Sequence, residues 1–326
     1  MNKIVAILDC NFPSTQIEES IVGAAGFQLV KGQCRTEDDV IRLASQIDGI
    51  IVQYAPLTAR AIQSLERCRV IARYGIGVDN VDVGAATRQG IWVTNVPGFC
   101  ATELAEHTLG FVLSLARRLP RLDRSVRAGQ WDTIRVMGST RRLSELTLGL
   151  VGFGRVGREV ATRARAFGLR LLATAPHTSA AAMAEHGVTR VTLDELLQRS
   201  DFVSLHLPLT PETRHLIGAR ELQAMKPTAY LINTSRGPIV DEPALVQALE
   251  QGRLAGCALD VLETEPPATD NPLLTFADVV FTPHAAYYSD DSLAFLQTAV
   301  AEEVVRVLQG ERPRSPVNPQ VVPRTV

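Results

Sequence analysis

Two features of the sequence predict an α/β fold built on parallel sheets. Short, β-rich apolar runs alternate with helix-length amphipathic stretches almost from end to end, and the runs fall into two successive series. At 326 residues the chain has room for about two domains of ~100–200 residues each. Its 46% apolar and 21% charged content lies in the globular range, away from the polar excess of disordered chains.

The first series opens with Lys3 to Asp9, where five apolar residues, Ile4 to Leu8, stand together. It continues with Phe27 to Val30, Gly49 to Gln53, Val70 to Tyr74 and Trp92 to Asn95, with helices expected between them. From Thr102 to Arg118, residues Leu104, Ala105, Thr108, Leu109, Phe111, Val112 and Leu115 recur at helical spacing, which predicts one long helix joining two domains. The second series comprises Leu148 to Phe153, Arg170 to Ala175, Asp201 to Leu207, Ala229 to Thr234, Gly256 to Val261 and Val279 to Thr282, a second complete doubly wound sheet. A last helix is expected over Ser292 to Leu308, ahead of a Pro-rich tail from Pro313. If that helix returns to the first sheet, one domain is discontinuous, 1–99 with 288–326, and the other, 100–287, is inserted in it.

Composition excludes several function classes. With 33 Lys+Arg against 35 Asp+Glu the formal net charge is -2, so no whole-molecule field gathers nucleic acid or an acidic membrane surface. The five cysteines, Cys10, Cys34, Cys68, Cys100 and Cys257, are odd in number and lack C-x-x-C spacing, which fits reduced thiols in a cytoplasmic protein. The N-terminal apolar run is too short for a signal sequence, and no segment reaches the ~18–20 apolar residues of a membrane span. The histidines show no metal-ligand spacing, so no metal is expected, and His107 and His206 are read as structural.

Gly152-Phe153-Gly154-Arg155-Val156-Gly157 is a G-x-G-x-x-G that follows an apolar strand and opens a helical run through Phe167. In that context the first glycine permits the tight turn, the second lets backbone approach a pyrophosphate, and the third allows close helix–strand packing, while the helix N-terminus favours the anion. A dinucleotide site is the natural reading. An NAD-type site carries a carboxylate for the ribose hydroxyls at the end of the next strand. Here that strand ends Ala173-Thr174-Ala175-Pro176-His177-Thr178-Ser179, with no acid. Repulsion toward a 2′-phosphate is thereby removed, and His177, Thr178, Ser179 and Arg155 offer hydrogen bonds to one. The reading leans to NADP; NAD, with adenosine binding tolerating Ala175, stays open.

Three further segments follow strands of the second series, where ligands of open α/β sheets bind: Asn233-Thr234-Ser235-Arg236-Gly237, Asp260-Val261-Leu262-Glu263-Thr264-Glu265-Pro266 and Thr282-Pro283-His284-Ala285-Ala286. Reducing a 2-keto acid requires a cation for its carboxylate and carbonyl, a proton donor for the oxygen at C2, and a group that keeps the donor charged. Arg236, His284 and Glu265 fit these roles in that order. A carboxylate beside an imidazole favours the imidazolium, so a Glu265–His284 pair would exchange a proton near neutral pH. Taken singly, each has a plainer reading as a surface ion pair, a loop acid or a loop histidine; their joint occurrence after the dinucleotide turn favours catalysis.

With these motifs in place, the chain resembles the D-isomer-specific 2-hydroxyacid dehydrogenases over nearly its whole length. The resemblance is carried by Arg73-Tyr74-Gly75-Ile76-Gly77-Val78-Asp79-Asn80, Asn95-Val96-Pro97-Gly98, the Gly152 to Gly157 turn, Thr234-Ser235-Arg236-Gly237, Asp260-Val261, Glu265-Pro266 and Pro283-His284. It implies a Rossmann cofactor domain inserted in a flavodoxin-like substrate domain, an active site in the interdomain cleft, and a homodimer built largely through the cofactor domains. It implies the catalytic set Arg236, Glu265 and His284, with substrate bound by Arg73, Tyr74, Gly75, Ile76 and Tyr287, the backbone amides near Tyr74, Gly75 and Ile76 holding the carboxylate. The cofactor-binding set is Thr102, Gly152, Gly154, Arg155, Val156, Gly157, Ala175, His177, Thr178, Thr234 and Asp260, with Thr102 near the phosphates and Asp260 orienting the nicotinamide amide. Expected substrates are small D-2-hydroxy and 2-keto acids of the glyoxylate, hydroxypyruvate, pyruvate or 3-phosphoglycerate type. Within the family the chain looks most like the branch containing the C-terminal-binding-protein corepressors and their bacterial relatives, so a dinucleotide-sensing binding protein is the alternative. A compact chain without a long disordered extension or an appended regulatory domain favours the enzyme. Two departures stand out: Ala175 replaces the usual acidic residue, and Tyr287 stands where that branch usually has Trp.

Overall fold

Runs such as Gly49-Ile50-Ile51-Val52 are wholly buried, as central parallel strands covered on both faces must be. The computed structural model describes residues 3–324; Met1, Asn2 and the last two residues of the Pro-rich tail lie outside the described residues. It divides into two units, Met1–Phe99 with Ser289–Val326, and Cys100–Tyr288. Tyr288, expected to open the returning segment, groups instead with the second unit.

In the first unit β1 (Ile4–Ile7), β2 (Gln28–Lys31), β3 (Gly49–Val52), β4 (Val70–Arg73) and β5 (Trp92–Thr94) form an all-parallel sheet in the order β2-β1-β3-β4-β5. This is the flavodoxin-like order. One face buries Ala6, Leu8, Ile50 and Ile71 beneath Val40, Ile62 and Ala85 of short helices. The other buries Val5, Ile7, Ile51 and Val70 against the helix Asp290–Leu308, which contributes Leu296, Val300, Val304 and Val307. That helix starts at a Ser289 capping box with Asp290 and Asp291 in its first turn, a charge placement its dipole favours.

In the second unit β6 (Thr147–Val151), β7 (Arg170–Thr174), β8 (Thr189–Arg190), β9 (Phe202–Leu205), β10 (Tyr230–Asn233), β11 (Gly256–Leu259) and β12 (Val279–Phe281) are all parallel, in the order β12-β11-β10-β9-β6-β7-β8. The chain direction across the sheet reverses between β6 and β9, the switch point at which open α/β sheets bind ligands. On one face the helices Ala101–Ala116 and Arg155–Ala166 bury Ala105, Leu109, Val112, Val160 and Ala164. On the other, helices Leu193–Arg199, Ala219–Ala224 and Glu242–Glu250 bury Leu196, Leu222 and Leu245. Each fully buried aliphatic side chain contributes about 1.5–3 kcal/mol. The long helix expected to join the domains belongs wholly to this unit. Strand β8 was not expected: its two residues, Thr189 and Arg190, are exposed and carry no apolar signal. Several strands end earlier than their apolar runs, because Phe153, Leu207 and Val261 leave the ladder for the loops beyond the strand ends. Among the described residues no helix is long and apolar enough to cross a membrane.

Candidate active site

His284 follows β12 and has a left-handed backbone, φ 52°, which is costly for a residue with a Cβ and persists only where neighbours over-determine it. Its N–H donates to the carbonyl oxygens of Asp260 (2.8 Å) and Thr282 (3.0 Å). Asp260, 3% exposed just beyond β11, secures the rest of the loop: Oδ1 accepts from the Thr282 hydroxyl and the Ala285 N–H (2.8 Å), and Oδ2 from the Ala286 N–H (3.0 Å). The His284 ring places Nδ1 2.7 Å from Glu265 Oε2, while Glu265 Oε1 accepts from the Leu262 N–H at 3.0 Å. A carboxylate only accepts, so the hydrogen-bond network assigns the proton to Nδ1 and directs Nε2 to any exchange with a ligand. Burial works to raise the Glu265 carboxyl, but the His284 hydrogen bond and charge, the Leu262 amide and the Arg236 charge outweigh it and hold the group below the usual carboxylate range. Tyr287 lies edge-on to the imidazole with ring centroids 6.3 Å apart.

Arg236 sits on the turn after β10. Buried Asn233 shapes that turn, donating through Nδ2 to the Arg236 carbonyl (2.9 Å) and accepting the Ser235 N–H (3.0 Å). Ser235 Oγ donates to the Leu205 carbonyl at 2.6 Å, and Arg236 Nη1 to the Ser235 carbonyl at 2.8 Å. A Cβ on the next residue, Gly237, would stand 1.9 Å from the Leu262 carbonyl, so only glycine lets the Glu265 loop seat directly on the Arg236 turn. Three loops from three strand ends thus bring a cation, a carboxylate and an imidazole to one edge of one sheet.

At the end of β6, Gly152 has φ 100°, and a Cβ there would lie 2.2 Å from the His206 carbonyl oxygen. A Cβ on Gly157 would lie 2.7 Å from the Gly152 oxygen, which explains the third glycine. Gly154 differs: nothing stands within 4 Å of its built Cβ, and it caps the helix Arg155–Ala166 with no side-chain acceptor for the first N–H groups. An open approach to unsatisfied amides at a helix N-terminus fits a dinucleotide pyrophosphate. Arg155 is exposed and Val156 half-buried in the first helical turn, and Thr102 is exposed on the first turn of Ala101–Ala116, the helix packed beside it. His206 is pushed down to about 4 by burial and bonds Ser204 Oγ at 3.0 Å.

The family model described as the NAD-binding domain of D-isomer-specific 2-hydroxyacid dehydrogenases matches residues 109–286. A glyoxylate reductase of Korarchaeum cryptofilum is 43% identical over 269 residues, 82% of this chain and 81% of that protein. The chain belongs to the D-isomer-specific 2-hydroxyacid dehydrogenases. A D-3-phosphoglycerate dehydrogenase of Methanocaldococcus jannaschii is 39% identical over 291 residues, 89% of this chain but 55% of that protein, so the chain spans about half the length of this relative. The solved structure of D-lactate dehydrogenase from Aquifex aeolicus, complexed with NAD and lactic acid, superposes with a TM-score of 0.85 at 31% identity, over 94% of this chain and 96% of the other.

Several of the residues expected to meet a ligand also have partners within the protein. Asp260, expected to orient a nicotinamide amide, also accepts with both carboxylate oxygens from the His284 loop, giving that loop's buried donors their acceptors. Of the three first-unit amides expected to hold a substrate carboxylate, Tyr74 donates its N–H to the Val52 carbonyl (2.8 Å) and Gly75 to the Arg73 carbonyl (2.8 Å), completing the end of β4. The Ile76 N–H, on a 38% exposed residue, is the one of the three without a hydrogen-bond partner among the described residues. The Tyr74 side chain is buried, its hydroxyl donating to Glu18 Oε1 at 2.5 Å, with Gln297 Nε2 donating to the same carboxylate. Thr234 is also turned inward, its hydroxyl 3.1 Å from that of Thr108. Ala175 is 8% exposed and part of the core, while exposed His177 and half-buried Thr178 occupy the strand end beside it.

Asn233 and Thr282, quoted only as members of their strand-end segments, and His107, read as structural, are contributors to which the residue patterns gave no role in the site. Asn233 had one legible signal, an Asn closing a strand ahead of a tight turn; the other two had none. Among the described residues no group of three or more His, Cys, Asp or Glu is arranged to hold a metal ion.

Proposed function

We propose that the chain is an NAD(P)-dependent D-2-hydroxyacid dehydrogenase that interconverts a small 2-keto acid and its D-2-hydroxy acid. The observation that carries this reading is the Glu265–His284 pair at 2.7 Å, set beside Arg236 on the sheet edge that also bears the glycine turn. A bound nicotinamide supplies the hydride for C2 in reduction and accepts it in oxidation. Arg236 faces the substrate carboxylate and carbonyl, lowering the cost of negative charge growing on the C2 oxygen. His284 gives its Nε2 proton to that oxygen in reduction and recovers it in oxidation, while Glu265, bonded to Nδ1, keeps the imidazole oriented. Relatives named phosphoglycerate dehydrogenase and glyoxylate reductase support acids of the glyoxylate or 3-phosphoglycerate type.

NADP is the favoured cofactor, because Ala175 removes the carboxylate that repels a 2′-phosphate and His177 and Thr178 stand beside it. Ala175→Asp is expected to shift the NADPH/NADH ratio of kcat/KM toward NADH by about tenfold or more, and an unchanged ratio overturns the assignment. A cytoplasmic setting is supported by the odd number of cysteines and the lack of C-x-x-C spacing among them. A homodimer is supported by Trp131 and Ile134, 89% and 87% exposed on the segment ahead of β6.

The deciding experiment follows NADH and NADPH oxidation by purified protein across a panel of short 2-keto acids, with a His284 variant as control. Turnover that the variant loses supports the dehydrogenase. Tight dinucleotide binding with no acid turned over overturns it in favour of a dinucleotide-sensing protein.

A further inference from the structure

The helix Ala101–Ala116 carries a histidine that the catalytic scheme leaves unused. His107 Nε2 lies 2.9 Å from Thr282 Oγ1, and Thr282 Oγ1 in turn bonds Asp260 Oδ1. The direction of this chain follows from its last member. A carboxylate accepts only, so the one hydroxyl hydrogen of Thr282 goes to Asp260, and the Thr282 oxygen is left to accept from His107. His107 therefore carries its hydrogen on Nε2. The ring is held in that pose by Phe111, one helical turn on, packed edge-to-face at a centroid distance of 4.6 Å. Its Nε2 also stands 3.8 Å from Asp260 Oδ1, near enough to add charge attraction whenever the ring is protonated.

We propose that His107 and Thr282 are positioning residues for proton transfer at His284, an inference that rests on the dehydrogenase reading above. The argument is mechanical. His284 has the left-handed backbone, which relaxes unless its neighbours forbid it. Beside the Thr282 carbonyl, which shares the His284 N–H, the forbidding backbone contacts converge on Asp260: its carbonyl holds the His284 N–H, and its carboxylate holds the Ala285 and Ala286 N–H groups. The Asp260 carboxylate is itself oriented by a side chain on the same loop, Thr282, and Thr282 is oriented by a helix that packs on the glycine-turn helix Arg155–Ala166. The chain thus references the imidazole to the rigid body of the cofactor unit. Displacing a catalytic group by about 1 Å can cost on the order of 100-fold in rate, which is the size of effect the chain is placed to prevent.

Thr282→Val keeps the shape and removes the hydroxyl. It is expected to lower kcat by about 10–100-fold while KM, the Kd for NAD(P)H and the melting temperature stay near wild type, and Thr282→Ser is expected to restore most of kcat. His107→Phe is expected to lower kcat similarly, and the double variant to fall no further than the worse single, because both changes break one chain. Wild-type kcat in Thr282→Val, failure of Thr282→Ser to rescue, or multiplying losses in the double variant would each overturn the proposal. Should the wild type reduce no acid, the dehydrogenase reading fails, and the positioning role is then read from histidine ¹⁵N NMR. The Nε2–H tautomer at His107 and a shift of the His284 ring signals in Thr282→Val support it; His284 signals indifferent to Thr282→Val refute it.

Discussion

The proposed chemistry turns on His284, whose side chain and backbone make separate demands. The left-handed backbone tolerates Asn better than most residues, so His284→Asn removes the imidazole with the least disturbance of the loop. Turnover is expected to fall by about 10²–10⁴ with NAD(P)H affinity retained, as measured by steady-state kinetics and fluorescence titration; unchanged turnover would remove His284 from its role. Glu265 makes a different prediction. Its folded carboxyl titrates below the usual range, so its ionised form stabilises the fold above that range, and the contribution is lost as pH falls through the folded value. The melting temperature of wild type should therefore exceed that of Glu265→Gln at about pH 6–8, with the gap closing on acidification toward about pH 3. A gap independent of pH would mean that His284 and Arg236 do not hold the carboxylate ionised.

Secondary-structure elements decide which glycines serve the fold and which serve the ligand. In the turn between β6 and the helix Arg155–Ala166, Gly157 meets the Gly152 oxygen at 2.7 Å from a built Cβ, whereas Gly154 meets nothing within 4 Å. Gly157→Ala must push the helix from the strand, so it is expected to lower both thermal stability and cofactor affinity. Gly154→Ala should leave the melting temperature within a few degrees and still weaken NAD(P)H binding by about tenfold or more, because the added methyl stands where a pyrophosphate must approach backbone. Calorimetry beside cofactor titration separates the two. Equal affinities for Gly154→Ala and wild type would mean that the ligand does not use this turn.

Across the molecule, two parallel sheets, β2-β1-β3-β4-β5 and β12-β11-β10-β9-β6-β7-β8, are each covered on both faces by helices. Among the exposed large apolar side chains, Leu119, Val126, Trp131 and Ile134 all fall on the segment ahead of β6. Large apolar side chains concentrated on one segment mark an interface rather than a solvated surface. If that interface joins two copies of this chain, sedimentation equilibrium should find a dimer, and Trp131→Glu should raise its dissociation constant by at least about tenfold. A monomer in the wild type, or a dimer indifferent to Trp131→Glu, overturns that assignment.

Much of this was legible in the residues because its signals are local. Alternating apolar runs and amphipathic stretches report a parallel α/β sheet through burial on both faces, and the glycine hexapeptide reports its own turn through sterics that act within six residues. Arg236, Glu265 and His284 were legible because each follows a strand, and strand ends are where open sheets expose chemistry. What chain periodicity does not encode is the pairing of hydrogen-bond donors with acceptors far apart in sequence. His107 reads as one more position on a helix until folding sets it against Thr282, 175 residues away, and the pattern around Asp260 does not tell that its oxygens also hold the His284 loop. Nor does the pattern around Tyr74 tell that its hydroxyl goes inward to Glu18, because a buried carboxylate must be given donors wherever the packed core can supply them.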